Sequence, residues 1–411
     1  MNPTSISSEL PLPGPAARAH SQRVIARVQR AIDARGDGWL PFDAYMDLVL
    51  YAPGLGYYSA GARKFGEDGD FITAPELSPL FGQAVARWTQ SVASQLDVGE
   101  PWTVVEYGAG TGALARAMLD ALVGTASPPS RYLIVELSGD LRERQRERLS
   151  GCALADRVQW LDGPPLSPVR GVVLANEVLD AFACARFRVR GEGARSGVEV
   201  LGVSGNGEAA LSLAWRAADP DQVMAVEALE RRLGRPFAAG YVSELCPRRD
   251  AWLASIAPSL EAGAMLLIDY GLSEQEYYAP ARRDGTLLCY YRHRAHDDVL
   301  HLPGLQDLTA WVDFSAVARG AAALALDLTG YTTQAGFLLG NGIDALASAA
   351  MASAVSEAAR LQVASACRQL LLPGSMGERF RVMALGRGLS EPLPGLAGPD
   401  LRRTLGRSSA R

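Results

Sequence analysis

The apolar residues of this chain fall into short unbroken runs, and most of those runs stop at an acid or an amide. Thr103–Val105 is β-branched and precedes Glu106; RYLIVEL (131–137) carries Glu136 near its end; VQWLD (158–162) closes on Asp162. GVVLA (171–175) leads into Asn176, Glu177 and Asp180, and GAMLLID (263–269) is a fifth run of the same kind. Continuous apolar stretches of this length read as strands buried on both faces, whereas the spacing of apolar positions in Ala113–Leu122 and the segment GDLRERQRERL predict helices between them. Strands alternating with helices predict an α/β fold with a doubly wound parallel sheet, whose ligand crevice opens at the carboxyl ends of the strands. The acids are therefore expected to converge on one cleft.

Elsewhere the period changes. Residues 20–35 and 74–95 read as helices flanking the glycine-rich stretch Pro53–Asp70, which reads as a loop. Ala185–Arg190, Val198–Ser204 and Glu208–Trp215 alternate apolar and polar positions, with GEGARSG and GNG between them, as in a β-meander. An insertion of about 55 residues, over about 185–240, exceeds the usual connection within a domain. Ala322–Leu328 and Phe380–Leu385 read as the last strands, and helices fill most of 329–372. The expected organisation is a disordered tail (1–19), a helical and loop segment (20–95), a main domain (96–388) and a second tail (389–411).

The chemistry sits between the first strand and its helix. Gly108, Gly110 and Gly112 can take backbone angles that a β-carbon would penalise, and they let a ligand approach the main chain. Gly108, Gly110 and Ala113 also satisfy the dinucleotide pattern G-x-G-x-x-G/A, and a plain strand-to-helix turn is a further alternative. Glu106 separates these readings: a carboxylate there suits a cationic cofactor such as S-adenosyl-L-methionine (SAM), with its ammonium and sulfonium, and repels a pyrophosphate. Glu136 stands where an acid accepts from ribose hydroxyls in either a SAM or an NAD fold.

Composition fits a soluble enzyme. The chain has 411 residues, 48% of them hydrophobic, enough for one large or two ordinary domains. A net charge of −5 argues against a nucleic-acid or anionic-membrane binder, so neither partner is expected. Cys152, Cys184, Cys246, Cys289 and Cys367 show no C-x-x-C spacing and read as reduced thiols of a cytoplasmic protein. The first residues lack a basic segment followed by an apolar one, so no secretory signal is expected. The apolar region Gly320–Val355 is interrupted by Asp327, Gln334, Asn341 and Asp344 before any run reaches membrane-spanning length.

Longer words then match a known family. GYYS and GDFITAPELSPLFG (within 56–82), VEYGAGTGALARAML, LANEVLDAF (174–182), SELCP (243–247), LLIDYG (266–271), HDDVLHLPGLQDLTAWVDFSAVA and MGERFRVMAL resemble the MidA family of SAM-dependent methyltransferases over roughly residues 43–386. The family's mitochondrial member is a complex I assembly factor that methylates a protein arginine. The resemblance implies a class I methyltransferase fold, SAM as cofactor, and a protein substrate, by analogy a respiratory-complex subunit; a homodimer stays open. Departures are Tyr107 and Ala109, where the family usually has an apolar residue and proline, and Trp311, where histidine is frequent. The expected cofactor set is Glu106, Gly108, Gly110, Gly112, Glu136, Asp162, Asn176 and Thr73.

A guanidinium substrate is planar and always charged, so its site needs carboxylates in bidentate reach. Glu177 and Asp180, after the fourth strand, are the leading candidates, and Glu76 in ITAPELS is the alternative clamp. The competing readings are that Asn176, Glu177 and Asp180 cap a following helix, and that Glu76 is a first-turn acid after Pro75. His293, His296 and His301 match no metal module, so no metal is expected; that loop reads as substrate-facing, with Asp297 and Asp298 drawing a basic peptide, or as a solvated charge cluster. The run RERQRER reads as a solvent face with Glu–Arg pairing and no function. Two functional classes follow: an active protein methyltransferase, and a binding or assembly factor that keeps the fold. An NAD oxidoreductase ranks third.

Overall fold

The computed structural model describes residues 10–60, 73–96, 99–205, 210–396 and 399–406. The chain forms two compact units, each assembled from separate stretches: Met1–Phe71, Asp180–Arg249 and Glu274–Trp311 in one, Ile72–Leu179, Asp250–Ser273 and Val312–Arg411 in the other. Residues 1–71 and 274–311 thus share a unit with the insertion, and residues 72–96 share one with the glycine loop.

The second unit is built on a sheet whose main strands are β1 (Thr103–Tyr107), β2 (Arg131–Val135), β3 (Val158–Leu161), β4 (Val169–Asn176), β5 (Leu260–Leu272), β6 (Asp327–Thr333) and β7 (Phe380–Arg387), with the short Val312–Asp313 also paired to β5. Their order is β6-β7-β5-β4-β1-β2-β3. The five strands from β5 to β3 are parallel, and β7 runs antiparallel to β5 and β6. The register explains why the polar ends meet. Tyr107 pairs with both Val135 and Ala175, Val135 with Leu161 and Ala175 with Leu267, so one rung crosses all five parallel strands. The next residues along β1, β2, β3 and β4 are Gly108, Glu136, Asp162 and Asn176. The loss of apolar character at this edge is the sequence signal of the crevice.

Helices α1 (Ala74–Leu77), α2 (Pro79–Ala93), α3 (Ala113–Leu122) and α4 (Gly139–Leu149) belong to this unit. Trp88, Val104, Met118, Tyr132, Ile134 and Leu266 lie in its main core. Helices α2 and α3 approach closely because Gly82 faces Ala117, where a β-carbon on Gly82 would sit 2.6 Å from that of Ala117. Two sequence expectations are corrected here. The segment Ala322–Leu328 is not one strand: Phe314–Ala323 is a helix and the strand starts at Asp327, since an alanine-rich stretch favours helix and the β-branched and aromatic DLTGYTT favours strand. The run RERQRER is not uniformly solvent-facing, because Gln145 in its middle is buried, as are the flanking Leu141 and Leu149 of α4.

The first unit holds an antiparallel sheet of Trp39–Pro41, Val198–Ser204, Ala185–Val189 and Val242–Leu245, with Ser212–Ala217 also paired to Val198–Ser204. The expected meander is present, with additional strands from before and after it; the part of the meander expectation at 206–209 lies outside the described residues, as do 61–70 of the expected loop and 1–9 and 407–411 of the expected tails. Leu288–Tyr291 pairs with Arg294–His296 and Asp307–Thr309 in a small second sheet. The helices Pro15–Asp33 and Phe42–Tyr51 close its core through Val24, Val28, Tyr45 and Val49. Among the described residues no single helix is long and apolar enough to cross a membrane.

Candidate active site

The loop from Gly108 to Gly112 joins β1 to α3, and all three of its glycines take left-handed backbone angles, with φ of +65°, +54° and +84°. Their surroundings differ. A β-carbon on Gly108 would lie 2.8 Å from Cγ2 of Val178, and one on Gly112 would lie 3.4 Å from Cγ of Gln145. One on Gly110 would meet nothing within 4 Å. The loop is therefore packed at both ends and open in the middle, a cradle that a side chain would fill and a ligand can enter.

Three acids stand at this edge. Glu106 is buried, and its Oε2 accepts from the Tyr132 hydroxyl at 2.6 Å. Loss of solvent raises its pKa to about 7, against a lowering by the Tyr132 bond and a further rise from nearby Glu136. Glu136 is also buried, and desolvation raises its pKa, while bonds from the backbone of Ser138 and from Gln145 pull it down. The Ser138 N–H donates to Oε1 at 2.9 Å and Gln145 Nε2 donates to Oε2 at 3.1 Å. Asp162 is different: its side chain is 93% exposed and paired with Arg142 at 2.5 Å. Arg142 also donates to the carbonyls of Glu136 and Leu161, at 2.6 and 2.8 Å, so it ties the ends of β2 and β3 together.

Past β4 the chain makes a turn and no helix begins at residues 177–184, which corrects the reading of Asn176, Glu177 and Asp180 as caps of a following helix. Glu177 has φ of +54°, an unusual angle for a side-chain-bearing residue, and its N–H donates to Ile268 O at 2.8 Å. Its Oε1 accepts the backbone N–H of Ala74 at 3.3 Å and Nδ2 of Asn176 at 3.1 Å. The turn is held from beneath by Asp269, fully buried at the end of the apolar run of β5, whose Oδ2 accepts from Leu179 N at 2.8 Å. The candidate set read from the sequence omitted Asp269. The signal was available: an acid closing an otherwise apolar strand.

Helix α1 links this turn to the glycine loop. Glu76 takes the guanidinium of Arg148 in a fork, Nη1 to Oε1 at 2.8 Å and Nη2 to Oε2 at 3.3 Å, and the Thr111 hydroxyl donates to the same Oε1. Glu76 is thus engaged by an arginine of this chain. Thr73 caps α1 through its carbonyl, which accepts from Glu76 N and Leu77 N, with no side-chain cap bond. Thr73, Glu76, Glu106, the three glycines, Glu136, Asp162, Asn176 and Glu177 all lie in the second unit. Asp180 lies in the first, where it is buried, its carbonyl accepts from Ala310 N at 3.0 Å, and desolvation raises its pKa to about 7.

Other sequence features also fall in the first unit. The rings of His296 and His301 meet edge to face at 5.6 Å, and among the described residues no group of three or more His, Cys, Asp and Glu could hold a metal. Trp311 lies beneath the guanidinium of Arg282 at 5.1 Å. Arg142 and Gln145 are contributors to the candidate site that the sequence reading missed, because charge pairing in the helix pattern masks the one face that turns inward.

Residues 84–332 match the model of a family described as S-adenosyl-L-methionine-dependent methyltransferases. The chain belongs to that family. The protein of Mus musculus named protein arginine methyltransferase NDUFAF7, mitochondrial, is 30% identical, with 83% of this chain and 79% of its own covered. The Drosophila melanogaster homologue of that name is 28% identical, with 86% and 82% covered. A crystal structure of a COG1565 superfamily member from Burkholderia thailandensis, bound to S-adenosyl-homocysteine, is 41% identical and superposes with a TM-score of 0.88 over 96% of this chain and 100% of its own. The methyltransferase has the α/β fold and the SAM cofactor expected from the sequence. Its residues fit that cofactor: open space over Gly110, a ribose-type acid at Glu136, and the Glu106 carboxyl for a cationic group.

Proposed function

We propose that this methyltransferase acts on a protein and methylates an arginine side chain. The observation that carries the reading is the turn after β4. Gly108 meets Val178, so the turn packs on the cofactor loop, and its Glu177 is held in a left-handed conformation that costs free energy and persists only where surrounding structure enforces it. Such enforced geometry holds a carboxylate on the first residue of α1, the helix whose Glu76 accepts from the Thr111 hydroxyl of the loop. Relatives named as protein arginine methyltransferases, 30% and 28% identical over most of the chain, support the same substrate class.

SAM supplies an electrophilic methyl group on a sulfonium. What remains for the protein is alignment and acceptance of the proton that the guanidinium nitrogen loses as the N–CH3 bond forms and the S–CH3 bond breaks, a role open to the Glu177 carboxylate. Gly110 leaves room for the cofactor, Glu136 and the groups around it are assigned to the ribose, and the buried Glu106 carboxyl to the cationic portion. Glu177 takes the role of holding the guanidinium through paired N–H donors. A charge at Glu177 fixes the plane of the guanidinium, which sets the line of attack.

A respiratory-complex subunit is the substrate the family resemblance favours, and the cytoplasm, favoured by the free thiols of all five cysteines, is the proposed location. The test is incubation of the purified protein and methyl-labelled SAM with a lysate of a deletion strain, followed by mass spectrometry of the labelled protein. Methylarginine supports the proposal. Label confined to another side chain overturns the arginine assignment, and tight SAM binding without any protein labelling favours the assembly-factor reading instead.

A further inference from the structure

Helix α4 contains one polar residue that is fully buried, Gln145, in the middle of the arginine-rich run. Its Nε2 donates to the carbonyl of Gly110 at 2.8 Å and to Oε2 of Glu136 at 3.1 Å. Its Oε1 accepts from the indole N–H of Trp160 at 2.8 Å. The same side chain sits against Gly112, whose β-carbon would approach Gln145 Cγ at 3.4 Å. Gln145 thus touches the open glycine of the loop, the packed glycine beside it, the acid at the end of β2, and a ring on β3.

The Trp160 bond decides what the amide does. An indole N–H can only donate, so it selects the orientation in which the oxygen faces Trp160 and the NH2 faces Gly110 and Glu136. The flipped amide would set an oxygen against two acceptors. A carboxylate offers about four acceptor positions. Ser138 N donates to Oε1 of Glu136 and Gln145 Nε2 to Oε2, so both oxygens of the carboxylate are held in place.

We propose that Gln145 is a positioning residue of the cofactor site: oriented by Trp160, it fixes the Glu136 carboxylate and the Gly110 carbonyl in the relative placement that receives SAM. This rests on the assignment of Glu136 and the glycine loop to the cofactor. Gln145 touches neither the methyl group nor the acceptor, so its loss acts on cofactor affinity.

The test is calorimetric titration of the full-length protein with S-adenosyl-homocysteine, with a thermal melt of each variant. Gln145→Leu keeps the bulk and removes all three bonds, and should weaken binding at least about tenfold. Gln145→Glu keeps the length and the acceptor for Trp160 but sets a carboxylate against Glu136, and should weaken it at least as much. A merely structural role would lower the melting temperature alone, or act equally with and without Glu136. In a Glu136→Ala background, therefore, the cost of Gln145→Leu should shrink at least about threefold. If Gln145→Leu does not fold, Trp160→Phe carries the test, with a loss of about threefold or more expected. Wild-type protein that fails to bind S-adenosyl-homocysteine overturns the cofactor-site assignment itself. Wild-type binding together with unchanged affinity in the variants, or an undiminished cost beside Glu136→Ala, overturns the role of Gln145.

Discussion

Glu177 Oε1 accepts the backbone N–H of Ala74 at 3.3 Å, joining the turn after β4 to the first residue of α1. The two residues are 103 positions apart in the chain. Through α1 the connection continues to Thr111 by way of Glu76, so the turn after β4 and the cofactor loop share one short helix.

Glu177→Gln keeps the size of the side chain and one acceptor for Ala74, but removes the charge that holds a guanidinium. SAM affinity is expected to stay within about threefold of wild type while single-turnover methylation falls at least about a hundredfold, because misalignment of an in-line transfer is costly. Normal turnover accompanied by a lower melting temperature would assign Glu177 to tethering α1 and overturn its role as a clamp.

Gly110→Val combines a left-handed φ of +54° with a branched side chain directed into the open cradle. The expected result is loss of SAM binding, with a stability cost of about 1–3 kcal/mol from backbone strain and the fold retained. Calorimetry beside circular dichroism checks it; undiminished affinity would mean the open space over Gly110 is not the cofactor's.

The pKa of Glu106 is raised by burial from 4.5 to about 7, so the protonated form prevails in the free protein only below about pH 7. Ionising it in the folded state is costly, and stability is expected to fall as the pH rises from about 4.5 through about 7. A cationic ligand reverses the preference, so SAM affinity should rise over the same upper window, by up to about tenfold per pH unit below about 7. Titrations at pH 6, 7 and 8 read this directly. Glu106→Gln should flatten the profile, which separates Glu106 from Glu136, also raised by burial; a profile already flat in wild type would place the cation elsewhere.

Arg148 and Glu76 form a fork with side chains 37% and 16% exposed, and their direct contribution to stability is small, about 0–1 kcal/mol. The same Arg148 Nη1 donates to the Thr111 hydroxyl at 2.6 Å, so the pair also braces the cofactor loop. Arg148→Ala is expected to shift the melting temperature little and to weaken SAM binding several-fold. Equal affinity in wild type and variant would reduce the fork to an ordinary surface pair.

Much of the cofactor side was legible in one dimension, because its parts are neighbours in sequence. A buried strand, an acid and a glycine loop occupy residues 103–112, and the periodicity of 113–122 announced the helix. The turn after β4 was only half legible. Glu177 stood out as an acid after an apolar strand, but its left-handed angle, the missing helix behind it and its bond to Ala74 depend on how 74 and 268 are brought to it. Gln145 was hidden because seven charged and polar neighbours gave the helix a solvated look, and burial of one residue in the run depends on what packs opposite.

The sequence by itself determined the parallel strands, the polar edge where they end, the family and the cofactor, since hydrophobic period and glycine spacing are local properties of the chain. Tertiary structure alone decided that Glu76 is occupied by Arg148, that Asp269 supports the turn, that Gln145 faces Glu136, and that Asp180 belongs to a different unit from Glu177. Those outcomes are contacts between distant segments, and their distances are fixed by sheet register and packing, which no local pattern of side chains encodes.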